Sequence, residues 1–400
     1  MALVVVALTL REGESEHLRR SLRPVAIAAV FPALWMLVQA LPLRSLAWVH
    51  PVWQSAESAF GDPVLGSLSV DRGLTLLALY HYLFAVAITL LAAAVAVDRR
   101  RARWLLVALT GATTVIAIVI VAQHFGGLRV FSRLERADVY AAAIDCVVIG
   151  AILAVAAVIG AIDLQQKRQS GPAKQGAPAG ALPASLGAFA ICTLTLIFFG
   201  TIHALVAMTF GLATFFALIA SRRVGIGPWG GAGIATIIVA AFVAMILMQP
   251  RVLTLDLTLA FASTTGPQSS ISITQRILSD ANWAGSGAGT YGALVPIYKD
   301  IDDAFIETTA PTAAAAMAVE FGRAALWVIV AVVIAAVLAL VRGALLRGRD
   351  AFYPAAGAGC LVTATFLGFS GAGMLNAATS IVLAATVGLG FIQSRSRILS

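Results

Sequence analysis

Apolar residues recur along this chain in helix-length blocks, and short Arg-rich stretches separate them. The clear blocks run roughly over Pro24–Leu43, Leu74–Val97, Trp104–Gln123, Tyr140–Leu164, Gly230–Gln249, Ala324–Val341, Ala351–Gly371 and Asn376–Ile392. A bilayer offers no water to unpaired backbone groups, so apolar runs of about 20 residues read as spanning helices. One further block, Ser185–Ala220, holds about 36 residues with His203 as its one ionisable group. A single helix of that size would reach ~54 Å at 1.5 Å per residue, against a hydrocarbon core of ~30 Å. Two helices meeting at a tight turn near Gly200-Thr201-Ile202-His203 fit better. The pattern predicts an all-α polytopic membrane protein with about ten transmembrane helices.

Composition agrees and adds orientation. Apolar residues make up 60% of the chain and charged residues 12%, about half the charged share of a soluble domain. The net charge of +8 would point to nucleic acid in a soluble protein. Here it reflects Lys and Arg held on one side of the membrane, and no nucleic-acid partner is expected. Alternate loops carry the basic residues: Arg19, Arg20 and Arg23; Arg99, Arg100, Arg101 and Arg103; Lys167, Arg168 and Lys174; Arg222 and Arg223; Arg347 and Arg349; Arg395 and Arg397. Short basic loops stay cytoplasmic, which places both termini in the cytoplasm. The three cysteines, Cys146, Cys192 and Cys360, lie in apolar blocks without metal-ligand spacing, so neither a disulfide framework nor a metal site is expected. Residues 1–10 are apolar but too short to span, and read as an interfacial segment or the remnant of a longer helix.

The expected organisation follows. Residues 1–164 form a four-helix membrane half, and 165–184 a Pro-, Gly- and Ala-rich flexible linker. Residues 185–249 hold helices five to seven, and 324–400 helices eight to ten. Between the seventh and eighth helices lies one long outer loop, 250–323, with Trp, Tyr, Pro and clustered Gly. Loops longer than about 15 residues in compact proteins are usually functional or disordered, and this composition predicts an ordered one.

Candidate chemistry concentrates in that loop. A short amphipathic helix over 270–280 would put Arg276 and Asp280 four apart on one face. The stretch Trp283-Ala284-Gly285-Ser286-Gly287-Ala288-Gly289-Thr290-Tyr291 follows. Glycines 285, 287 and 289 would let backbone N–H groups approach an anion, or would simply form a tight turn between interfacial helices. No strand precedes them, so a dinucleotide-binding reading fails its context. Asp145, the pair His81-Tyr82, the outer arginines Arg129, Arg133 and Arg136, and the flanking pair Glu320 and Arg323 are weaker candidates. Glu320 and Arg323 read most simply as an ion pair at the membrane surface, worth little energy.

The long loop resembles that of the bacterial O-antigen ligase and polysaccharide polymerase superfamily. The resemblance rests on Arg276 in a helix, then Gly285, Gly287, Gly289 and Tyr291 in a hydrophobic-Gly-x-Gly-x-Gly-aromatic turn. Leu68-Ser69-Val70-Asp71 is similar to the start of the family's second helix pair, and Val319-Glu320-Phe321-Gly322 to its Glu-Leu-Gly. Taken in order, these motifs cover most of the chain. The resemblance implies an inverting, metal-independent glycosyl transfer on the periplasmic face of the bacterial inner membrane, without a cofactor. The donor would be a glycan on undecaprenyl pyrophosphate, and the acceptor a second glycan or the lipid A core. A chain-length regulator and export proteins would be further partners. Arg276, His203 and Asp280 would be catalytic. Gly285, Gly287, Gly289, Tyr291, Trp283 and Arg251 would bind substrate.

Two departures stand out. Where the family carries Ser-Arg-Gly between its middle helices, this chain reads Ile202-His203-Ala204. Where it carries a His motif before Glu-Leu-Gly, this chain reads Thr309-Ala310-Pro311-Thr312. Either Asp280, Asp300, Asp302, Asp303 or Glu307 substitutes as base, or the reaction needs little base assistance because the diphosphate is a good leaving group, or the chain is a divergent member with altered chemistry or none. The rival readings are a transporter or flippase for lipid-linked oligosaccharide, and a non-catalytic partner in polysaccharide export.

Overall fold

The computed structural model describes residues 12–43, 49–62, 65–126, 136–169, 180–224, 233, 257–259, 262, 268–299, 309–347 and 350–395. They form α1 (Glu12–Ala40), α2 (Pro51–Phe60), α3 (Arg72–Val95), α4 (Arg99–Gly126), α5 (Ala137–Gln169), α6 (Ala181–Phe199) and α7 (Ile202–Val224). After these come α8 (Gln268–Asp280), α9 (Tyr291–Tyr298), α10 (Ala313–Phe321), α11 (Arg323–Leu346), α12 (Phe352–Ser370) and α13 (Ala377–Ser394). Among the described residues there is no strand, only an isolated bridge between Leu43 and Gly66.

Eight of the described helices are long and apolar enough to cross a membrane: α3 to α7 and α11 to α13. The protein is therefore an all-α, multi-pass membrane protein. In α1 the apolar part is the shorter Val25–Ala40, because Glu12 to Arg23 continue the same helix as a polar first half. Apart from Gly233, the expected span Gly230–Gln249 lies outside the described residues, as does most of the expected linker. The long block divides as its length requires, at Gly200 and Thr201. The Gly200 N–H still bonds to the Leu196 carbonyl at 2.9 Å, and the chain then extends before α7 begins.

Helices α5 and α12 form the centre of the bundle, each with 83% of its membrane window buried. By contrast α11 is the most apolar, with a mean hydropathy of 3.1, and only 17% of its window is buried. It turns its side chains to lipid. Association of helices in lipid relies on close backbone approach at small residues, and α12 shows this on three sides. A side chain at Gly359 would meet the backbone of Gly211 in α7, and Thr363 donates to the Ala207 carbonyl at 3.1 Å. Gly357 faces Gly390 of α13 and Leu340 of α11. The basic ends of the helices are tied together by Arg99 to Asp350 at 3.0 Å and by Arg347 to the Arg395 carbonyl at 3.2 Å. At the opposite end, the C-terminus of α1 and the start of α3 meet the segment from α8 to the start of α11.

Candidate functional site

The turn between α8 and α9 is built on positive φ angles: 77° at Gly285, 106° at Gly287 and 76° at Gly289. A fourth, 86° at Gly322, joins α10 to α11. L-residues reach this region only with strain, so glycine is required at each. The two glycine segments interlock. A Cβ on Gly285 would strike the Glu320 backbone, one on Gly322 the Trp283 carbonyl, and one on Gly287 Ser69. Ser286 N–H donates to the Val319 carbonyl at 2.9 Å, Gly287 N–H to the Glu320 carbonyl at 3.0 Å, and Val70 N–H to the Ser286 carbonyl at 2.8 Å. Three stretches about 35 to 250 positions apart, 68–71, 283–291 and 319–322, thus pair through their backbones.

Gln39 and Trp35 of α1 lock this assembly. Gln39 is fully buried. Its Nε2 donates to the Ala284 carbonyl at 3.0 Å and the Glu320 carbonyl at 2.8 Å, while its Oε1 accepts from Ala288 N–H at 3.2 Å. Trp35 Nε1 donates to the Phe321 carbonyl at 3.2 Å. On the α3 side, Asp71 caps the helix by accepting from Leu74 N–H at 3.1 Å. Trp53 Nε1 holds the Ser69 carbonyl at 2.9 Å, and the Arg72 guanidinium stacks on the Trp53 ring at 5.1 Å. Sequence reading missed both Gln39 and Trp35. The available signal was a buried amide in an otherwise apolar block, where an intramembrane polar group needs a partner.

Two backbone N–H groups of the turn converge on a carboxyl group, and it is the protein's own. Glu320 accepts from the backbone N–H groups of Gly289 and of Tyr291, the latter at 3.2 Å. Burial raises its carboxyl from the usual 4.5 to about 7, with those two N–H bonds pulling the other way. Glu320 therefore faces the turn rather than serving only as half of a surface pair with Arg323. The Arg323 guanidinium reaches the Leu278 carbonyl at 3.2 Å, closing the end of α8. At Gly285, Gly287, Ala288 and Tyr291 the donors likewise point at protein acceptors, so these glycines contribute shape and close packing to the site.

Helices α8 and α9 present the charged groups. Ile273, Ile277, Leu294 and Val295 bury their shared apolar face together with Val319 and Leu326. Thr274 and Tyr291 hydroxyls meet at 2.6 Å, which fixes the register of the two helices. Burial raises the Tyr291 phenol, with the Glu320 charge adding to it and the Thr274 bond opposing it. On the solvent side, Arg276 is exposed and its Nη1 lies 3.5 Å from the Tyr298 carbonyl. The Tyr298 hydroxyl donates to Asp280, and its phenol is pushed up by burial first and by the Asp280 charge second. Arg276, Asp280 and Tyr298 thus share one edge of the α8–α9 pair. Trp283, 61% exposed, sits beside it with its ring tilted against Trp35 at 6.4 Å between centroids.

The other expected residues fall elsewhere. His203 opens α7, which packs on α12 and α5, whereas α8 packs on α9 and α10. Asp145 is buried in α5 against the short 3-10 helix Gly373–Leu375. Arg251, Asp300, Asp302, Asp303 and Glu307 lie outside the described residues. Thr309 to Thr312, where the resembling family carries histidine, caps a helix. Thr312 Oγ1 accepts from Ala315 N–H at 3.0 Å and donates to the Thr258 carbonyl at 2.6 Å.

No family model matches the chain, and no curated protein matches it either. Among the described residues, fold and site define a multi-pass helical membrane protein with a glycine-rich turn interlocked with the start of α11 at one end of its bundle.

Proposed function

We infer that this protein is a membrane glycosyltransferase that polymerises or ligates glycan units carried on undecaprenyl pyrophosphate, acting at the capped end of the bundle. One observation carries the reading. The stretches that resemble the O-antigen ligase and polymerase superfamily, 68–71, 283–291 and 319–322, are separate in sequence and meet in one hydrogen-bonded assembly. The basic helix ends lie at the opposite pole and would face the cytoplasm, leaving the cap on the periplasmic side. In this reading Arg276 stabilises the charge gathering on the leaving diphosphate, for which a planar guanidinium is well suited. Asp280, four residues on, draws the proton from the acceptor hydroxyl. Trp283 offers an exposed face on which a sugar stacks. The interlocked glycines and Glu320 hold α8 and α9 in place.

The test is the glycan profile of cells lacking the gene, complemented with wild type or with Arg276→Ala. Single repeat units should accumulate on the lipid carrier in the deletion, and only wild type should restore long polymer or ligated product. Equal rescue by an Arg276→Ala protein present at normal membrane level would remove Arg276 from the site. An unchanged glycan profile in the deletion would remove the glycosyltransferase reading itself.

A further inference from the structure

A cavity lies at the other pole, far from the glycine turn. It measures about 690 Å³ and opens between α4 and α6, with α5 as its floor. That volume sits within the range of about 300–1,000 Å³ common for ligand sites. Its lining is graded. Arg100, Arg103 and Trp104 stand at the basic end, Thr110 and Gly111 come next, and Val115 lies deepest along α4. From Arg100 to Val115 the helix rises ~22 Å at 1.5 Å per residue. The membrane with its headgroups is ~40–45 Å thick, so the groove runs from the membrane surface to about mid-depth, the span of one leaflet. Arg103 is held at the mouth by a hydrogen bond to Tyr353. Trp104, 64% exposed, occupies the position of an interfacial aromatic.

Two glycines point to an occupant. Glycine within a helix is about 1 kcal/mol less favourable than alanine, and in membranes it is usually placed where another backbone comes close. Gly111 of α4 and Gly187 of α6 both line the groove, and a side chain at either would meet nothing within 4 Å. Most other glycines inside the described spanning helices do touch something, as Gly150 meets Thr113 and Gly388 meets the Thr89 carbonyl; Gly368 of α12 is an exception, and it does not line the groove. At 111 and 187 the missing side chains leave room that no protein atom uses.

We propose that this groove binds an anionic phospholipid of the basic-side leaflet, its phosphate at Arg100 and Arg103 and an acyl chain along Gly111 and Gly187. Two cations at the surface end above an apolar channel one leaflet deep match the charge and polarity order of such a lipid. Basic pockets between membrane helices are suited to anionic headgroups, at roughly 1 kcal/mol per Arg. The two arginines together correspond to a preference of about thirtyfold over a zwitterionic lipid with the same chains.

The experiment is lipid retention by the full chain. The protein is reconstituted with dioleoyl phosphatidylglycerol or dioleoyl phosphatidylcholine, released gently into detergent, and read by native mass spectrometry. Wild type should keep phosphatidylglycerol in clear preference to phosphatidylcholine. Arg100→Gln with Arg103→Gln should weaken phosphatidylglycerol retention by about thirtyfold and leave phosphatidylcholine unchanged. Gly111→Leu fills the groove without touching either charge and should reduce retention of both lipids. Equal retention of the two lipids by wild type overturns the proposal. So does a Gly111→Leu protein that keeps phosphatidylglycerol as wild type does. Stabilisation by inorganic phosphate equal to that by phosphatidylglycerol would make the mouth a free-anion site and overturn it as well. Thermal unfolding of each variant, followed through the three buried cysteines, separates lost binding from lost fold.

Discussion

Replacing Gln39 by Leu should detach α1 from the glycine turn. The side chains are similar in size, so packing is largely preserved while three hydrogen bonds disappear. Two buried carbonyls, Ala284 and Glu320, lose the Nε2 donor, and Ala288 N–H loses its acceptor. A net hydrogen bond is worth about 1 kcal/mol, and a buried group left unpaired costs about 1–3 kcal/mol. The Glu320 carbonyl keeps its Gly287 N–H, so its loss is partial. A destabilisation of about 3 kcal/mol follows, or a fall in Tm of roughly 4 °C for a chain of 400 residues. The protein carries its own probe. Cys146, Cys192 and Cys360 are free and buried, so a thiol-reactive fluorophore reports unfolding without added labels. Gln39→Glu sharpens the test, because it keeps the shape and the acceptor but sets a carboxylate against two carbonyls. It should be at least as damaging as leucine. Wild-type melting in both variants would show that Gln39 does not bridge the helix and the turn.

Three further outcomes follow from the same geometry. Glu320→Gln keeps an acceptor for Tyr291 N–H but removes the ionisation. Wild-type Glu320 titrates at about 7 when folded and 4.5 when unfolded, so its favourable contribution is complete below about 4.5 and is lost as pH rises through 7. At 1.36 kcal/mol per unit this is roughly 3 kcal/mol, and the stability difference between Glu320→Gln and wild type should grow by that amount from pH 4.5 to 8 in thiol-monitored melts. A pH-independent difference would mean that Glu320 is not held as described. Gly359→Val should push α12 off α7 and lower stability by about 1–3 kcal/mol, whereas valine at Gly368, where a Cβ meets nothing within 4 Å, should be tolerated in the same melts. Gly287→Ala combines a φ of 106° with a collision at Ser69 and, on the proposed glycosyltransferase reading, should impair polymer or ligation product more severely than Gly292→Ala, which has open space.

The spans were legible because the bilayer forces one solution on each apolar block. Length alone divided 185–220, and the break falls at Gly200 and Thr201 as expected. The amphipathic helix carrying Arg276 and Asp280 was equally readable, since its pattern is local. Helix boundaries differ by a few residues where polar ends continue the coil, as Glu12 to Arg23 do in α1. The site was legible in its parts and illegible in its joints. No local pattern in 319–322 reveals that Glu320 turns toward Gly289 and Tyr291, because the choice among acceptors depends on where a chain some 30 positions away has been folded.

That distinction bears on how the glycines should be understood. From sequence, three glycines at alternate positions read equally well as an anion cradle or as a turn. The N–H groups of Gly289 and Tyr291 converge on the Glu320 carboxyl, those of Gly285 and Gly287 bond to backbone carbonyls, and the turn locks two distant segments together. Positive φ at four positions, with no room for a Cβ at Gly285, Gly287 or Gly322, allows the close packing of 283–291 against 319–322. The rigidity so obtained fixes the bases of α8 and α9. Arg276, Asp280, Tyr298 and Trp283 stand on those helices with their charged and aromatic groups toward the exposed side. On the proposed reading the site would hold a large, lipid-tethered anion and would benefit from such a footing, since groups already in place need no reorganisation as charge develops. The glycines would then act on Arg276 through position alone. Gly287→Ala should leave the charge of the site unchanged and still lower its output, while a lysine in place of Arg276 should recover part of the activity lost in Arg276→Ala. Full activity in Gly287→Ala, with Arg276→Ala inactive, would separate the turn from the chemistry and refute that link.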